Sequence, residues 1–510
     1  MPAKPLRAAV ASLALTLALI LVLAWSSTGH AVVATPEQAA GMAHAIETRM
    51  NEWFTPEDGE GAVVEWYGPV KVEPEGERYV VHLPPSSVTD ESGTRVEIGT
   101  IRLDVEPMAD GAYKVAALLP ADIPMIGDDD SHMADLTIGA QRFEGVWSAE
   151  TENFLSVDAD FRSLALRTLD DSARADLDSL VVRQNLEQSS PGRFSGPSSL
   201  SLGKLMLKGP GDALMLKIDR LDLASAVESI DLAQQGRLSR EFGTLEPTDI
   251  DSAEFAAEIK RQLRLLYDLF GGLSIDLKAD GITAHDPDSG TDVAIADLGT
   301  SLSVSGLRDG RSRIGLGYHH TGFSLAPDPS IGELMPREID AFLQVTGLPN
   351  DGLWRALIDY VNAMQKSGKR VTDKQVGEKV FDLLAKAGSR FEVSKFRFLS
   401  PNIESSLEGS AVLDPKAPFS STGEARAVIR GVEDAIKTLG AEKPTAEVQQ
   451  MLAVGSMIQM LGQIGKDEAG RDVRIYDLRF PPDGKVTLNG ADMGALLGLQ
   501  GAGNAPVKSK

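Results

Sequence analysis

Hydrophobic and polar positions alternate with a period of two along most of this chain, which predicts strands with one apolar face each. The pattern takes over from about residue 62. Val96 and Ile98 alternate, then Ile101, Leu103 and Val105, and after EPMADG come Tyr113, Val115 and Ala117. Asp110-Gly111 between the last two runs is a tight-turn pair. Leu136 and Ile138 begin another strand, with Phe143 to Trp147 as its expected partner. From about 197, Leu200 with Leu202, Leu205 with Leu207, then Leu214, Leu216 and Ile218 repeat the theme. KGPGD at 208–212 joins two runs expected to pair as neighbours. Leu and Met are weak strand formers, so the expectation rests on alternation and turns. Strands resume with Ile275 and Leu277, Val293 and Ile295, Leu302 and Val304, and Ile314 and Leu316, with Asp309-Gly310 as a further hairpin turn. RFEVSKFRFLSPNIESSLEGSAVLD carries more strands, and RDVRIYDLRFPPDGKVTLNG is the last hairpin, turning at PPDG.

Helical spacing interrupts this pattern at a few places. Thr35 and Pro36 suit an N-cap and a first helical position, and Met42, Ile46, Met50 and Trp53 come next at helical spacing. Residues 249–270 place Phe255, Ile259, Leu263, Leu266 and Phe270 on one face, ended by Gly271-Gly272. Two helices are expected between 350 and 388, one with Leu353, Leu357, Ile358 and Val361, the other with Val376, Val380, Leu383 and Leu384. ARAVIRGVEDAIKTLG turns from a strand into a short helix, and 446–465 carries Val448, Met451, Met457, Ile458 and Leu461 on a helical pattern.

Strands in groups with helices between them are not βαβ units. The fold class expected is α+β, predominantly antiparallel β, with extended twisted sheets and interspersed helices. The organisation expected is an N-terminal helix at 35–60, a first β-rich domain at 61–245, a helix plus second β-rich region at 246–345, a C-terminal α+β region at 346–498 and a disordered tail at 499–510. A recurring unit of strand, turn, strand and small helix is visible in VTGLPNDGLWRAL and AVIRGVEDAIKTL.

Residues 1–31 read differently. Lys4 and Arg7 precede AAVASLALTLALILVLAW, an uncharged run at 8–25. Basic residues hold that end in the cytoplasm, so the chain beyond the run is exported. Two outcomes fit: a signal peptide cut after Ala31 or Ala34, or an inner-membrane anchor, since the run reaches the lower bound for a spanning helix. The expected location is therefore periplasmic, soluble or tethered by residues 8–25.

The C-terminal third, GSAVLDPKAPFSSTGEARAVIRGVEDAIKTLG followed by a helix and RDVRIYDLRFPPDGKVTLNGADM, resembles the end of the YdgA-like bacterial envelope proteins. Its strand-turn-strand grammar over 275–495 is similar, more distantly, to the AsmA-like group. The resemblance implies an exported, β-rich, often tethered protein with no assigned chemistry. It also implies a relation to grooved proteins linked to lipid movement and envelope homeostasis.

Composition narrows the chemistry. The 74 acidic against 50 basic residues give a formal charge of -24, which repels nucleic acid and argues against binding it. Cysteine is absent, excluding disulfides and thiolate chemistry. No catalytic residue and no cofactor-binding motif is recognisable: GxSxG, the phosphate-binding loop and GxGxxG are missing, and the histidines lack metal-ligand spacing, His319-His320 being the only pair. HDPDSGTD at 285–292 offers Asp286, Asp288 and Asp292 as a candidate calcium loop, though its glycine is fifth rather than sixth and the closing glutamate is missing. Asp128, Asp129 and Asp130 form a carboxylate cluster expected in an exposed loop. Three functions fit these observations: a non-enzymatic envelope scaffold or groove contacting lipid or envelope proteins, a periplasmic hydrolase assembled only in the fold, and a calcium-stabilised assembly module.

Overall fold

The structure, a computed structural model, describes residues 34–54, 63–90, 92–242, 253–329, 332–367, 373–417, 420–441, 445–467 and 469–493. The apolar run at 8–25 and the tail at 499–510 lie outside the described residues. Among the described residues no helix is long and apolar enough to cross a membrane. Strand is the majority, and every pairing given below is antiparallel. The chain divides into two compact units, residues 1–246 with 279–290, and residues 247–278 with 291–510.

The first unit begins with helix α1, Pro36–Phe54. Thr35 caps it, its Oγ1 accepting from the Gln38 amide at 3.3 Å. Met42, Ile46 and Met50 are buried; the Trp53 side chain lies outside the described residues. Eight short strands come after it: β1 (Val63–Trp66), β2 (Lys71–Glu75), β3 (Arg78–Leu83), β4 (Ser86–Thr89), β5 (Arg95–Ile98), β6 (Ile101–Pro107), β7 (Ala112–Leu118) and β8 (Asp122–Ile126). Longer strands come next: β9 (His132–Ser148), β10 (Asn153–Thr168), β11 (Arg174–Asn185), the short β12 (Glu187–Ser190), β13 (Arg193–Lys208) and β14 (Leu214–Ile230).

One edge of β9 serves two partners. Its first half pairs with β8 and its second half with β7. Two arms therefore diverge, β8-β5-β4-β1 and β7-β6-β3-β2. At the fork the Gln141 carboxamide stands in for a strand. Its Nε2 donates to Leu119 O and its Oε1 accepts from Leu119 N, both at 2.8 Å. The arms, α1 and β9–β11 enclose the core, where Val81, Leu83, Ile98, Ile101 and Ile123 are at most 1% exposed.

Leu136, Ile138 and Phe143 to Trp147, expected on partner strands, lie on the single strand β9. The partner of both stretches is β10, with Leu136 opposite Leu166, Ile138 opposite Leu164 and Phe143 opposite Ala159. No turn forms between them because GAQR stays extended. Gly139 lets the Ser163 side chain of β10 approach where a Cβ would come within 2.8 Å of it. KGPGD does join neighbours, β13 and β14. Helix α2 (Leu232–Phe242) comes next, capped by the Asp231 carboxylate accepting from the Gln234 amide.

The second unit opens with helix α3 (Ala253–Tyr267), shorter than the expected 249–270, of which 249–252 lie outside the described residues. Strand β15 (Gly272–Asp286) succeeds it, its residues from 279 onward belonging to the first unit. The sheet runs in the order β16 (Thr291–Ser305), β17 (Arg311–Thr321), β19 (Glu338–Pro349), β20 (Arg390–Leu399), β21 (Glu404–Leu413), β22 (Ser421–Arg430) and β24 (Asp472–Phe480). Short β18 (Ser324–Ala326) adds to β16, β23 (Gln463–Lys466) and β25 (Thr487–Leu488) add to β24, and β26 (Ala491–Asp492) to β25.

Helices α4 (Asn350–Ser367) and α5 (Asp373–Ala387) interrupt β19 and β20, and α6 (Val432–Ala441) and α7 (Ala446–Leu461) come after β22. Gly347, φ +73°, and Gly431, φ +80°, stand at the two strand-to-helix passages, in the two phrases that look alike in sequence. The α4–α5 pair is fastened at strand ends. Asn350 Nδ2 donates to Gly306 O and Leu307 O, and Ser389 Oγ to Gly347 O. Tyr267 stacks on Trp354 with ring centroids 4.7 Å apart, and its hydroxyl donates to Asp351.

Candidate functional site

Directly paired residues share a face of a sheet, so register reads out each face. In the second unit one row runs Leu302, Leu316, Leu343, Val393, Gly409, Ala425, Leu478. The next row on the same face runs Val304, Ile314, Val345, Phe391, Ala411, Gly423, Phe480. Tyr318 opposes Ala341 and Thr300 two positions away from Leu316, on that face again. An irregularity in β20 between Val393 and Phe396 keeps Phe396 opposite Ala341, so the apolar side is not lost along that strand.

This face is open. Leu316 is 51% exposed, Leu343 47%, Tyr318 41% and Phe391 40%. At about 200 Å² for a large side chain, these four leave roughly 360 Å² of contiguous surface in water, within the size range of functional patches. Helices α4 and α5 carry the buried Ala356, Val361 and Ala385, and Leu348 is buried near the end of β19.

The opposite face is ionic. Arg397 pairs with Glu338 at 2.8 Å, Lys395 with Asp340, and Arg426 with Asp477 at 3.7 Å. His319 Nε2 lies 2.6 Å from Asp297 Oδ1. His320 turns the other way, Nδ1 to the Tyr318 hydroxyl and Nε2 to Pro336 O, so the pair is split between faces as strand geometry requires. A shallow concavity on this face is lined by Arg390, Arg426 and Arg479 with Glu392, Glu408 and Glu424. Beside it Arg430 grips Glu404 at 2.6 Å, with Arg397 and Arg471 within 4 Å of the same carboxylate.

The first unit builds apolar rows as well. Ile138, Leu164, Leu177, Leu205 and Ile218 form one, and Phe143, Ala159, Val182, Leu200 and Leu223 another. Burial fades across them, from Leu164 at 3% on β10 to Leu223 at 37% on β14. Strict alternation fails within these strands. Phe161 and Leu164 are both buried although three apart, as are Leu177 and Leu180. The same step recurs at Leu202 and Leu205 and at Ile218 and Leu221. Each strand skips the same paired position, at Ser163, Asp178, Lys204 and Asp219. Ser163 takes φ +53° there. On β15, Gly281 takes φ +61° beside Asp219, whose carboxylate a Cβ would overlap.

This crease shifts every strand's parity at one line and so keeps leucines on one face. Period-two reading missed it, although the signal is in the sequence: FRSL, LDSL, LGKL, IDRL and ADGI each place two small or polar residues between apolar ones.

The candidate calcium loop forms a turn that serves itself. Asp286 Oδ1 accepts from the Asp288 amide at 3.1 Å, its Oδ2 from the Ser289 hydroxyl at 2.6 Å, and Gly290, φ +67°, closes on Asp286 O. Those hydrogen bonds, the Ser289 hydroxyl foremost, hold the Asp286 carboxyl below its ordinary pKa. Asp292 stands on β16 opposite Ala326. Among the described residues no group of three or more His, Asp or Glu side chains is placed to hold a metal ion. The Asp128–Asp130 cluster is exposed, as expected, in a turn where Asp129 Oδ1 accepts from the Ser131 amide.

Neighbouring donors hold the carboxyls of Asp129, Asp160, Asp170, Asp286, Asp359, Glu433 and Asp467 below their ordinary pKa. No family model and no curated protein matches this chain.

Proposed function

We propose that this protein is a non-enzymatic factor of the bacterial envelope whose second sheet presents an apolar face to the acyl chains of lipids. The observation carrying the reading is the pair of rows through Leu316, Leu343 and Phe391, whose large side chains are 40–51% exposed on a face that the helices leave uncovered. An acyl chain suits aliphatic rows that offer shape and no fixed hydrogen-bond donors. In this reading the fold is α+β, built from twisted antiparallel sheets with helices between strand groups, in the manner of the YdgA-like and AsmA-like proteins it resembles. Export by the run at 8–25 would put the face in the periplasm, where lipids leaving the inner membrane need shelter from water.

The test is lipid recovery. The full chain, purified from a bacterial envelope, should carry phospholipid or fatty acid detectable by mass spectrometry after solvent extraction. Recovery no greater than from a β-rich control protein prepared in parallel would sink the proposal.

A further inference from the structure

Helix α7 sets a separate problem. Residues 448–465, VQQMLAVGSMIQMLGQIG, carry no charge in a chain where 24% of residues are charged. The helix is apolar on more than one side. Its inner side is held firmly: Thr445 caps it by accepting from the Val448 amide, Tyr476 donates to Ile458 O at 2.7 Å, Asn489 Nδ2 donates to Leu461 O at 3.1 Å, and Gly455 lies against Ile436 of α6. Its outer side is left in water. Met451 is 43% exposed, Val454 45%, Met457 50% and Met460 77%, and Ile464 just beyond is 68% exposed. Gln449, Gln450, Ala453 and Ser456 complete this side and are exposed and uncharged.

We propose that α7 is the contact helix of a two-fold homodimer, packing against α7 of a second copy of this chain. A two-fold contact sets the same surface patch of each copy against itself, and a residue on the axis meets its own copy. With a formal charge of -24 two copies repel, and an uncharged surface is where they approach at least cost. The five exposed apolar side chains offer on the order of 500 Å², against about 800 Å² per partner in a standard interface, and the flanking glutamines and small residues supply the polar remainder. Methionine suits such a contact because its unbranched chain adapts to whatever it meets on the two-fold-related copy. A bilayer surface fits less well. Helices lying on lipid carry Lys or Arg on the polar side and Trp or Phe on the other, and 448–465 contains none of these.

The absence of cysteine makes the test clean, since one introduced thiol reports one position. Full chains carrying Met460→Cys, or Ser190→Cys at an exposed site on β12, are treated in intact cells with a short bismaleimide before solubilisation. Met460→Cys should give a major product of twice the mass of the uncrosslinked chain, which is 54.4 kDa if its first residues are retained, and Ser190→Cys should not. Adding Met457→Glu to the Met460→Cys chain should reduce that product at least tenfold while a protease-resistant body persists. A Met460→Cys product no stronger than the Ser190→Cys product overturns the proposal. So does an adduct to a protein of any other mass. Neither outcome depends on lipid recovery by the sheet face.

Discussion

Leu316 and Leu343 face each other across β17 and β19 and are 51% and 47% exposed. Covering them with an acyl chain removes about 200 Å² from water, worth up to about 5 kcal/mol before ordering costs. Replacing both, as Leu316→Asn with Leu343→Asn, should therefore weaken lipid binding at least about a hundredfold, equivalent to about 2.7 kcal/mol. The same change costs the fold less, because each leucine has only about half its surface to lose: about 1–1.5 kcal/mol each, or a fall in melting temperature on the order of 5–10 °C. The double variant should stay folded at 25 °C by circular dichroism, lose extractable lipid and fail to take up a fluorescent fatty acid. Gln344→Ala, which changes the ionic face of the same strand, should change neither reading. A folded double variant that holds as much lipid as the parent would refute the assignment of this face.

Other perturbations probe the scaffold. Phe161→Ala, at a side chain 2% exposed, should lower unfolding free energy by about 3–5 kcal/mol in a denaturant titration. Gln141→Ala strips both hydrogen bonds from Leu119 at the fork of the two arms, and it should cost about 1–3 kcal/mol by the same measurement. The Arg474 guanidinium, donating to Glu433, holds that carboxyl below its usual range. A depressed folded pKa gives stability present above the unfolded carboxylate pKa and lost as pH falls through the folded value. Glu433→Gln should therefore lower stability at pH 7, read as a fall in melting temperature, by less than about 1 kcal/mol because half of Glu433 is exposed, and leave it unchanged at about pH 2. Calcium or a chelator should leave the melting temperature unchanged, since Asp286 spends both carboxylate oxygens on its own turn.

Much of this architecture is legible along the chain where the local signal and the tertiary outcome agree. Thr35-Pro36 with Met42, Ile46 and Met50 marks α1 because capping and burial both depend on nearby residues. The turns at Asp110-Gly111 and Asp309-Gly310 hold for the same reason, with Gly111 at φ +82° and Gly310 at φ +75°. Legibility ends where partners are remote. Nothing local says that GAQR inside β9 stays extended, because that depends on Ser163 of the next strand accepting Gly139. The Asp286 carboxylate of HDPDSGTD looks like a ligand in sequence, and in the structure it accepts from the loop's own Asp288 amide and Ser289 hydroxyl. The open face was the least legible feature. Alternation predicts an apolar side for every strand, and whether anything covers that side is settled by where the helices dock.

The crease and the open face answer one constraint in two ways. A strand that must stay apolar on one side over 16 or 17 residues, as β10 and β14 must, accumulates twist that would carry its side chains off the common face. Skipping one position on every strand at the same line, through Ser163, Asp178, Lys204 and Asp219, resets the parity together and keeps Leu164, Leu177, Leu205 and Ile218 in one row. Its cost is concentrated at two residues with positive φ, Ser163 and Gly281. Ser163→Gly should therefore stabilise the first unit by up to about 1 kcal/mol, because glycine adopts that conformation without the Cβ penalty. Gly281→Ala should destabilise it by about 2 kcal/mol or more, since the new methyl meets the Asp219 carboxylate in a backbone already in the left-handed region. Opposite signs for two such small substitutions, measured by chemical denaturation, are what a shared crease requires. A stabilising Gly281→Ala would mean that the line is incidental and that each strand bends for its own reasons.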